Sequence, residues 1–355
     1  MSANEEQLPT GLIPDEPDAR DFHYSDLFSA EDLSDVDFEK GYHAYEEFCL
    51  PLLKKDQGSS SSCVGQGASQ HARVMYKKLT GQDVDFSPKY VYANINQGFG
   101  AGASLRDGVK CIAEKGIPKE STLPSTENGN PPSEYWMISK KEITEKVDLE
   151  AKEFDKYNYR MIPGGTTDIR IFAHAIKNGC GVVAGFTGTN IGWTRSVVRA
   201  PKQGESRWGH CVFLVAYGMY QGKRCVFTPN SWGGRYTITE GRWKGLQAIP
   251  EDYFTESADT AVGPAPGAYV FNSWVLMSDD SIPTNVKLMD FLKKNEGKLV
   301  QDVQGNGSFG IILDGKILEA TPDRAAELCL TILMRSGQGV PVPKDLWNAA
   351  PKGNF

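Results

Sequence analysis

The spacing of apolar residues along the chain predicts a protein that mixes helices with strands. Apolar positions recurring every three or four residues predict amphipathic helices, and β-branched or continuously apolar runs predict buried strands. The predicted helices cover residues 66–79, 89–96, 105–115, 140–152 and 167–178. The predicted strands cover residues 181–186, 209–216, 223–229 and 269–277, and a turn at residues 218–222 joins the second and third of these into a hairpin.

The two ends of the chain have different patterns from its middle. Residues 1–9 read as a disordered start, and residues 10–28, which carry prolines, read as an extended arm lying on a domain surface. Asp18, Arg20 and Asp21 in this arm fit an anchoring ion pair or a plain solvated loop equally well.

The last seventy or so residues predict a separate unit. Residues 279–286 are rich in turn formers and predict a linker, and residues 287–355 predict a small α+β module without catalytic residues. Within it we expect a helix from Val286 to Lys294, a hairpin over residues 308–320 around Asp314 and Gly315, and a helix over residues 322–335.

Length, charge and hydropathy narrow the function classes. With 355 residues, 40% of them hydrophobic, the chain can form one large or two smaller domains. The net charge of −7 argues against nucleic acid or an anionic membrane surface as a partner. We find neither an apolar run of about 18 residues nor a signal peptide. We therefore expect synthesis in the cytoplasm without membrane insertion, with release by lysis or incorporation into a virion left open.

The cysteines and histidines do not predict a metal or cofactor site. The seven cysteines include no CxxC pair, and the five histidines include no HExxH motif. We expect free thiols of a reducing compartment, with most cysteines packed in the core.

One cysteine has a more specific setting. Cys63 follows Gln57 and a run of glycine and serine, and it comes at or just before the start of the predicted helix 66–79. Unpaired backbone N–H groups at a helix N-terminus favour a thiolate over a thiol, and small neighbours leave room for a substrate carbonyl. Taken alone, a buried cysteine in a serine-rich loop is an equally good interpretation.

Two residues far downstream complete a catalytic pattern. His210 begins a predicted strand next to Gly209, and Asn230 follows the neighbouring hairpin strand. Thiol hydrolysis of an amide needs a thiolate, a base and donors for the oxyanion, and an amide oxygen can fix the imidazole tautomer. The separation of Cys63 from His210 falls within the interval of about 130–150 residues typical of papain-type enzymes.

The segments that contain Gln57 and Cys63, His210, and Asn230 resemble those of the papain-like cysteine peptidases in order and spacing. The resemblance is to a bacterial or viral form and extends over residues 10–278. The resemblance implies an α+β fold with a helical left half and an antiparallel, barrel-like right half. It implies Cys63 as nucleophile, His210 as base and later acid, and Asn230 as its orienting group. Gln57 and the Cys63 N–H would form the oxyanion hole, and Trp232 would shield His210 from water, although a lone Gln is usually solvated and a lone Trp is usually core.

The sequence also departs from the family pattern. Ser60, Ser61, Ser62, Cys63 and Val64 stand where Cys-Gly-Ser-Cys-Trp is usual, so a disulfide partner and an aromatic residue are missing. No Gly-Cys-x-Gly-Gly stretch exists, and we expect Gly100 and Gly102 to form the wall that reads the substrate backbone. The 62 residues before Cys63 leave no room for a typical inhibitory propeptide.

The leading hypothesis is a peptidase that hydrolyses peptide or isopeptide bonds of a polypeptide substrate through an acyl-enzyme on Cys63. One alternative is a non-catalytic structural or adhesion component that retains the fold within a larger assembly, such as a phage virion, docked through residues 287–355. Another is an amidase acting on cell-wall peptides, which would need the same residues in a different cleft.

Overall fold

A computed structural model describes most of the chain as two compact units. The first unit comprises Met1–Pro17 and His23–Asp279, and the second comprises Asp18–Phe22 and Asp280–Phe355. The described residues are 8–18, 21–155, 157–260, 263–278, 282, 284–294, 299–302, 309–313, 316–319, 340–342 and 352–354.

Helices fill the first part of the first unit and also flank its sheets. The α-helices are α1 (Ala30–Ser34), α2 (Ala44–Glu47), α3 (Cys63–Thr80), α4 (Pro88–Ile95), α5 (Leu105–Lys115), α6 (Glu134–Ile138), α7 (Glu145–Ala151), α8 (Ile169–Asn178), α9 (Asn190–Trp193) and α10 (Asp252–Thr255). Short 3-10 helices cover Tyr24–Leu27 and Lys152–Phe154.

The strands of the first unit form two four-stranded antiparallel sheets and two short pairs. They are β1 (Leu12–Ile13), β2 (Tyr42–His43), β3 (Ala103–Ser104), β4 (Asn158–Ile162), β5 (Val182–Gly188), β6 (Trp208–Leu214), β7 (Ala216–Tyr220), β8 (Lys223–Thr228), β9 (Gln247–Pro250), β10 (Ser257–Thr260), β11 (Gly263–Pro266) and β12 (Ser273–Met277). The sheet orders are β4-β12-β5-β6 and β2-β7-β8-β9, while β1 pairs in parallel with β3 and β10 pairs with β11. Only Val215 separates β6 from β7, so one nearly continuous extended segment passes from the first sheet to the second.

Helix α3 is the central helix of this unit. Its residues from Cys63 to Met75 are buried, and it packs against β6, α4 and α5. It begins with small residues, and it ends at Gly81, whose φ of +75° suits glycine at a helix C-terminus. The rigid, buried α3 thereby fixes the position of its first residue, Cys63.

Most of the predicted elements are confirmed, with shifted ends. Helices α3, α4, α5, α7 and α8 and strands β5, β6, β8 and β12 correspond to the predicted segments. The apolar run 209–216 did not reveal the break at Val215, and the predicted hairpin is shifted: residues 218–220 belong to β7, and β7 rather than β6 pairs with β8. The short strands β4 and β9 were not predicted, because four or five residues carry too little periodic signal.

The first part of the predicted arm is packed against the rest of the first unit: within residues 10–18 Leu12 is buried, while the other positions are half-buried or exposed, as expected of a segment lying on a domain surface. Leu8 and Leu12 are buried, and the Trp232 Nε1 atom donates a hydrogen bond to the Pro9 carbonyl at 3.0 Å. Leu8 and Pro9 are therefore packed rather than part of a disordered start, because burial of the two leucines holds the segment in place. Residues 1–7 and Arg20 lie outside the described residues.

The second unit contains one described helix and a five-stranded sheet. Its elements are α11 (Thr284–Lys294), β13 (Leu299–Asp302), β14 (Phe309–Leu313), β15 (Lys316–Glu319), β16 (Val340–Val342) and β17 (Lys352–Asn354), in the sheet order β16-β13-β14-β15-β17. β14 and β15 form the predicted antiparallel hairpin. The predicted helix over residues 322–335 and the turn residues Asp314 and Gly315 lie outside the described residues.

The buried guanidinium of Arg73 anchors α3 to the segment that leads into the site and to the loop that follows the helix. The Arg73 side chain is almost completely buried, and its Nε and Nη2 atoms donate to the two carboxylate oxygens of Asp83 at 2.7 and 2.8 Å. Its Nη1 atom donates to the Pro51 carbonyl at 2.9 Å. These bonds lower the pKa of the Asp83 carboxyl, mainly through the hydrogen bond from Arg73.

Replacing Asp83 with Asn should destabilise the protein by about 1–3 kcal/mol, because the buried guanidinium loses its counter-charge. Denaturant-induced unfolding measures this loss. Asp168→Asn is the matched control, because the two carboxylates are similarly exposed while its partner Arg170 is 45% exposed and Arg73 only 2%, and Asn still caps α8. That control should cost less than about 1 kcal/mol. Equal losses in the two variants would contradict the anchoring role of Arg73.

Candidate active site

A compact loop over residues 56–62, which we call the cysteine loop, carries the chain to Cys63. The Asp56 carboxylate accepts a hydrogen bond from the Gly58 N–H at 2.9 Å, and the Gln57 carbonyl accepts one from the Ser60 N–H at 3.0 Å. Helix α3 then starts at Cys63, with the Gln66 N–H donating to the Ser62 carbonyl at 3.0 Å. Cys63 is therefore the first residue of a long buried helix, as the sequence predicts.

The thiol of Cys63 is completely buried, and burial determines its protonation. Desolvation raises its pKa to about 12, while hydrogen bonds with the backbone of Cys211, Val64 and Cys63 itself act in the opposite direction. The helix N-terminus thus favours the thiolate as expected, but in this structure burial outweighs it. The contact with Cys211 also places the thiol beside β6, at the residue that follows His210 in the sequence.

His210 lies on β6, and its Nε2 atom is 2.9 Å from the Asn230 Oδ1 atom. Asn230 follows β8 with a φ of +53°, in the left-handed region that asparagine tolerates better than most residues. Burial lowers the pKa of His210 to about 4, against the hydrogen bond that the ring makes to the Asn230 side chain, which raises it. Its other ring nitrogen, Nδ1, is buried and has no hydrogen-bond partner in the described part of the chain.

A chain of hydrogen bonds fixes which ring nitrogen of His210 carries the proton. The Gln247 Nε2 atom donates to the carbonyls of Trp193 and Arg195, both at 2.9 Å, because a carbonyl can only accept. The Gln247 Oε1 atom then accepts from the Asn230 Nδ2 atom at 2.5 Å. The Asn230 Oδ1 atom is therefore the acceptor for His210 Nε2–H, and Nδ1 presents a lone pair.

Gln57 is joined to the same network from the opposite side. Its Oε1 atom accepts from the Ser231 Oγ atom at 2.6 Å, and its Nε2 atom donates to the Ser60 carbonyl at 2.8 Å. An amide nitrogen has two N–H groups, so one remains for a further acceptor. The geometry is compatible with the predicted role of Gln57 as an oxyanion donor.

Tryptophan rings surround His210. Trp232 stacks on the imidazole with ring centroids 4.6 Å apart and an interplanar angle of 19°. Trp193 and Trp208 present their rings at steep angles, with centroids 5.7 and 6.0 Å from that of His210. Since all of these rings exclude water, the His210–Asn230 hydrogen bond lies in a low-dielectric environment.

The two predicted substrate-binding glycines belong to a loop over residues 98–102, which we call the glycine loop. The Gly100 N–H donates to the Glu134 carboxylate at 3.0 Å, and the Gly100 carbonyl accepts from the Ser61 Oγ atom at 3.2 Å. Gly102 adopts a φ of +87°, and a side chain there would overlap the Gly11 carbonyl. Both glycines thus lie beside the cysteine loop, and Gly102 contacts the arm.

Residues 8–13, which are called the arm from here on, cover this constellation. A Cβ atom on Gly11 would overlap the Ser61 carbonyl, and one on Gly209 would lie 2.8 Å from the Leu12 carbonyl oxygen. The Ala103 N–H donates to the Gly11 carbonyl at 2.9 Å, and Leu12 and Ile13 pair with β3. An extended backbone therefore runs between the cysteine loop, the glycine loop and the segment of β6 that carries His210.

Sequence comparison decides the family. The sequence model described as papain family cysteine protease matches residues 51–242, more than half of the chain. The chain belongs to the papain family of cysteine proteases. Membership makes it a hydrolase acting on peptide bonds, as predicted. A comparison with curated proteins finds no match.

Solved structures of the papain family share the fold. Xylellain, a cysteine protease from Xylella fastidiosa, is 18% identical with a TM-score of 0.60, and the match covers 78% of this chain and 99% of xylellain. Procathepsin B S9 from Trypanosoma congolense is 13% identical with a TM-score of 0.53, covering 76% of this chain and 86% of the other. At these identities the likeness establishes the predicted papain-like α+β fold and nothing more.

Some residues that build the site were not predicted from the sequence. Gln247, Ser231, Glu134 and Gly11 each make contacts that only the fold brings together. Ser231 had a weak signal, because it directly follows Asn230. Among the described residues, no group of three or more His, Cys, Asp or Glu side chains could hold a metal ion, and no helix is long and apolar enough to cross a membrane.

The neutral, buried His210 should make the stability of the protein depend on pH. Its folded pKa of about 4 lies below the unfolded value of about 6.5, so its stabilisation is complete above pH 6.5 and is lost as the pH falls towards 4. Between pH 7 and pH 5 this loss should be about 2 kcal/mol. His71, also completely buried with a pKa of about 4, should lose a similar amount.

Unfolding at the two pH values tests this pH dependence. In His210→Gln the loss of stability between pH 7 and pH 5 should be about 2 kcal/mol smaller than in wild type. His71→Gln should show a similar reduction, and any packing defect cancels because each variant is compared with itself. An unchanged pH dependence in His210→Gln would show that the folded His210 takes up its proton normally.

Proposed function

We propose that Cys63 is the nucleophile of a peptidase in which His210 is the base and then the acid, and Asn230 holds His210 in its reactive tautomer. The observation that carries this proposal is the directed hydrogen-bond chain from Gln247 through Asn230 to His210 Nε2. It leaves the Nδ1 lone pair as the proton acceptor, close to the strand segment that the Cys63 thiol contacts.

The proposed reaction follows from these positions. His210 Nδ1 takes the Cys63 proton, and the sulfur attacks the substrate carbonyl carbon. The second N–H of Gln57 and the Cys63 backbone N–H stabilise the oxyanion. The tetrahedral intermediate collapses as the amine leaves with the proton from His210, and a thioester forms on Cys63. Water, deprotonated at His210, then hydrolyses the thioester and regenerates the thiol. The same chemistry applies to peptide and isopeptide bonds.

The described structure represents a resting state of this enzyme. Cys63, His210 and Gln57 are all completely buried, and with pKa values of about 12 and about 4 the thiol and the imidazole are both neutral. Substrate entry requires the arm to leave, because Gly11 fills the space between Ser61 and Gly102. Removing the arm admits water, which reduces the desolvation that disfavours the thiolate–imidazolium pair.

A second candidate has one observation in its favour. A fold that keeps its site permanently covered would serve as a non-catalytic component, and the complete burial of Cys63 and His210 is compatible with that role. Reactivity of Cys63 after displacement of the arm distinguishes the two. A docking role of residues 287–355 in a larger assembly stays a prediction.

A single substitution should displace the arm without touching the proposed catalytic residues. Gly11 has a φ of +146°, and the methyl group of Gly11→Ala would overlap the Ser61 carbonyl. We expect alkylation of Cys63 by iodoacetamide at pH 7 to be at least about tenfold faster in Gly11→Ala than in wild type, because only the open state reacts. Peptide-resolved mass spectrometry measures this rate, with the exposed Cys49 as an internal reference.

Gly204→Ala is the matched control. Gly204 has a φ of +82°, but a methyl group there would meet no atom within 4 Å, so it adds backbone strain without a clash. Its Cys63 rate should equal that of wild type. The catalytic proposal fails if the alkylation rate of Cys63 in Gly11→Ala equals the wild-type rate. It also fails if Cys63 in Gly11→Ala reacts no faster than Cys49 and keeps the same rate when His210 is replaced. Either result supports the non-catalytic candidate.

A further inference from the structure

Glu134, the first residue of α6, accepts three hydrogen bonds from three separate segments. Its Oε2 atom accepts from the Ser61 N–H in the cysteine loop at 2.6 Å. Its Oε1 atom accepts from the Gly100 N–H in the glycine loop at 3.0 Å and from the Tyr92 hydroxyl on α4 at 2.7 Å. The side chain is buried, so these bonds compete little with water.

The carboxylate itself is held in place by the segment before it. The Ser59 N–H donates to the Pro132 carbonyl at 3.1 Å, and the Ser133 hydroxyl donates to the Glu127 carboxylate at 2.7 Å. Ser133 also caps α6 through the Trp136 N–H at 3.2 Å. Glu134 therefore projects from a short helix that is fastened on both sides, and it is a fixed point for the two loops.

The two loops bound the space that the arm occupies. Gly11 lies against Ser61 on one side and against Gly102 on the other. Neither Gly11 nor Gly102 has room for a side chain. This space is the width of one extended backbone. A second, direct bond, from Ser61 Oγ to the Gly100 carbonyl at 3.2 Å, joins the same two loops. Any peptide that replaces the arm meets a slot whose walls are both bonded to Glu134.

We propose that Glu134 is a positioning residue that sets the width of this slot, and thereby the approach of a substrate carbonyl to Cys63, which lies two residues after Ser61. This role rests on the proposed function. Small displacements in such a geometry reduce rates strongly, because the reacting atoms must meet within a few tenths of an ångström.

Charge alone would give the opposite effect on reactivity. The Glu134 carboxylate is among the groups that raise the pKa of Cys63, although burial is the main cause. Removing the charge therefore favours the thiolate and should speed its reaction with a small reagent. A loss of acylation by an extended substrate, together with unimpaired alkylation, can then come only from geometry.

The test uses the full chain carrying Gly11→Ala, with Glu134→Gln added. The Ser61 and Gly100 N–H groups bind different oxygens of Glu134, and a Gln side chain has an acceptor oxygen at only one of these two positions, so one loop loses its bond. We expect acylation of Cys63 by a peptide ester to fall at least about tenfold, while alkylation by iodoacetamide at pH 7 is unchanged or faster. Hydrogen exchange of the Ser61 or the Gly100 amide, whichever loses its acceptor, should quicken at least about tenfold. This readout requires no peptidase activity.

Two further variants distinguish a positioning role of Glu134 from a general loosening of the fold. Glu120→Gln changes another carboxylate that accepts a backbone N–H, from Ser125 at 2.8 Å, and should leave all three rates unchanged. Tyr92→Phe removes the bond from α4 and keeps both loop bonds, so loop exchange should stay close to that of the parent.

Several outcomes would overturn the proposal. They are unchanged loop exchange in Glu134→Gln, an equal fall of acylation and alkylation, or an equal effect of Glu120→Gln. If Glu134→Gln fails to fold, hydrogen exchange of the Gly100 amide in the wild-type chain tests the proposal instead. Gly100 is exposed, so its amide should be protected only if Glu134 binds it. Rapid exchange of this amide would reject the positioning role of Glu134. If no variant turns over a peptide but loop exchange behaves as expected, the proposed function fails and the structural part of this inference survives.

Discussion

The pairing of residues 55–57 with residues 231–233 is the constraint on which the site depends. The Gln57 N–H donates to the Ser231 carbonyl at 2.9 Å, the Gly233 N–H donates to the Lys55 carbonyl at 2.9 Å, and the Ser231 hydroxyl donates to the Gln57 side chain at 2.6 Å. These bonds join segments 174 positions apart in sequence. They bring the loop that ends in Cys63 to the end of the hairpin that carries Asn230. The helical and the β-rich parts of the first unit meet at this site.

Two physical effects act on Cys63 and His210 at this junction. The Gln247 side-chain oxygen accepts a hydrogen bond from the Asn230 amide and so sets its orientation, and Asn230 in turn sets the tautomer of His210. Burial sets the protonation states, since it raises the pKa of Cys63 and lowers the pKa of His210. In both residues the local hydrogen bonds act in the opposite direction, but their effect is smaller. In the proposed mechanism, the first effect prepares His210 as the base, and the second keeps Cys63 and His210 neutral while the arm is in place. The same residues would then account for both reactivity and restraint.

The proposed catalytic residues stand out in the sequence, because each has a strong local context. Cys63 lies at the start of a periodic helix, His210 on an apolar strand, and Asn230 after a hairpin strand. Gln247 and Glu134 have no such context, because their partners are 17 to 73 positions away and include backbone atoms. Residues 8 and 9 were predicted to be disordered because the acidic start of the chain outweighed the single apolar Leu8, and the prolines and charges of the following arm concealed the burial of Leu12. Only the close approach of Gly11 to Ser61 reveals that this backbone fits a slot.

The most direct test of the account is to trap the acyl-enzyme. The Gly11→Ala protein is mixed with an activated peptide ester, quenched in acid and digested, and the cysteine peptides are weighed by mass spectrometry. The account predicts one acyl group on the peptide that contains Cys63, and its loss in His210→Gln. Acyl transfer to the exposed Cys49 alone, or acylation of Cys63 at the same rate without His210, would contradict it.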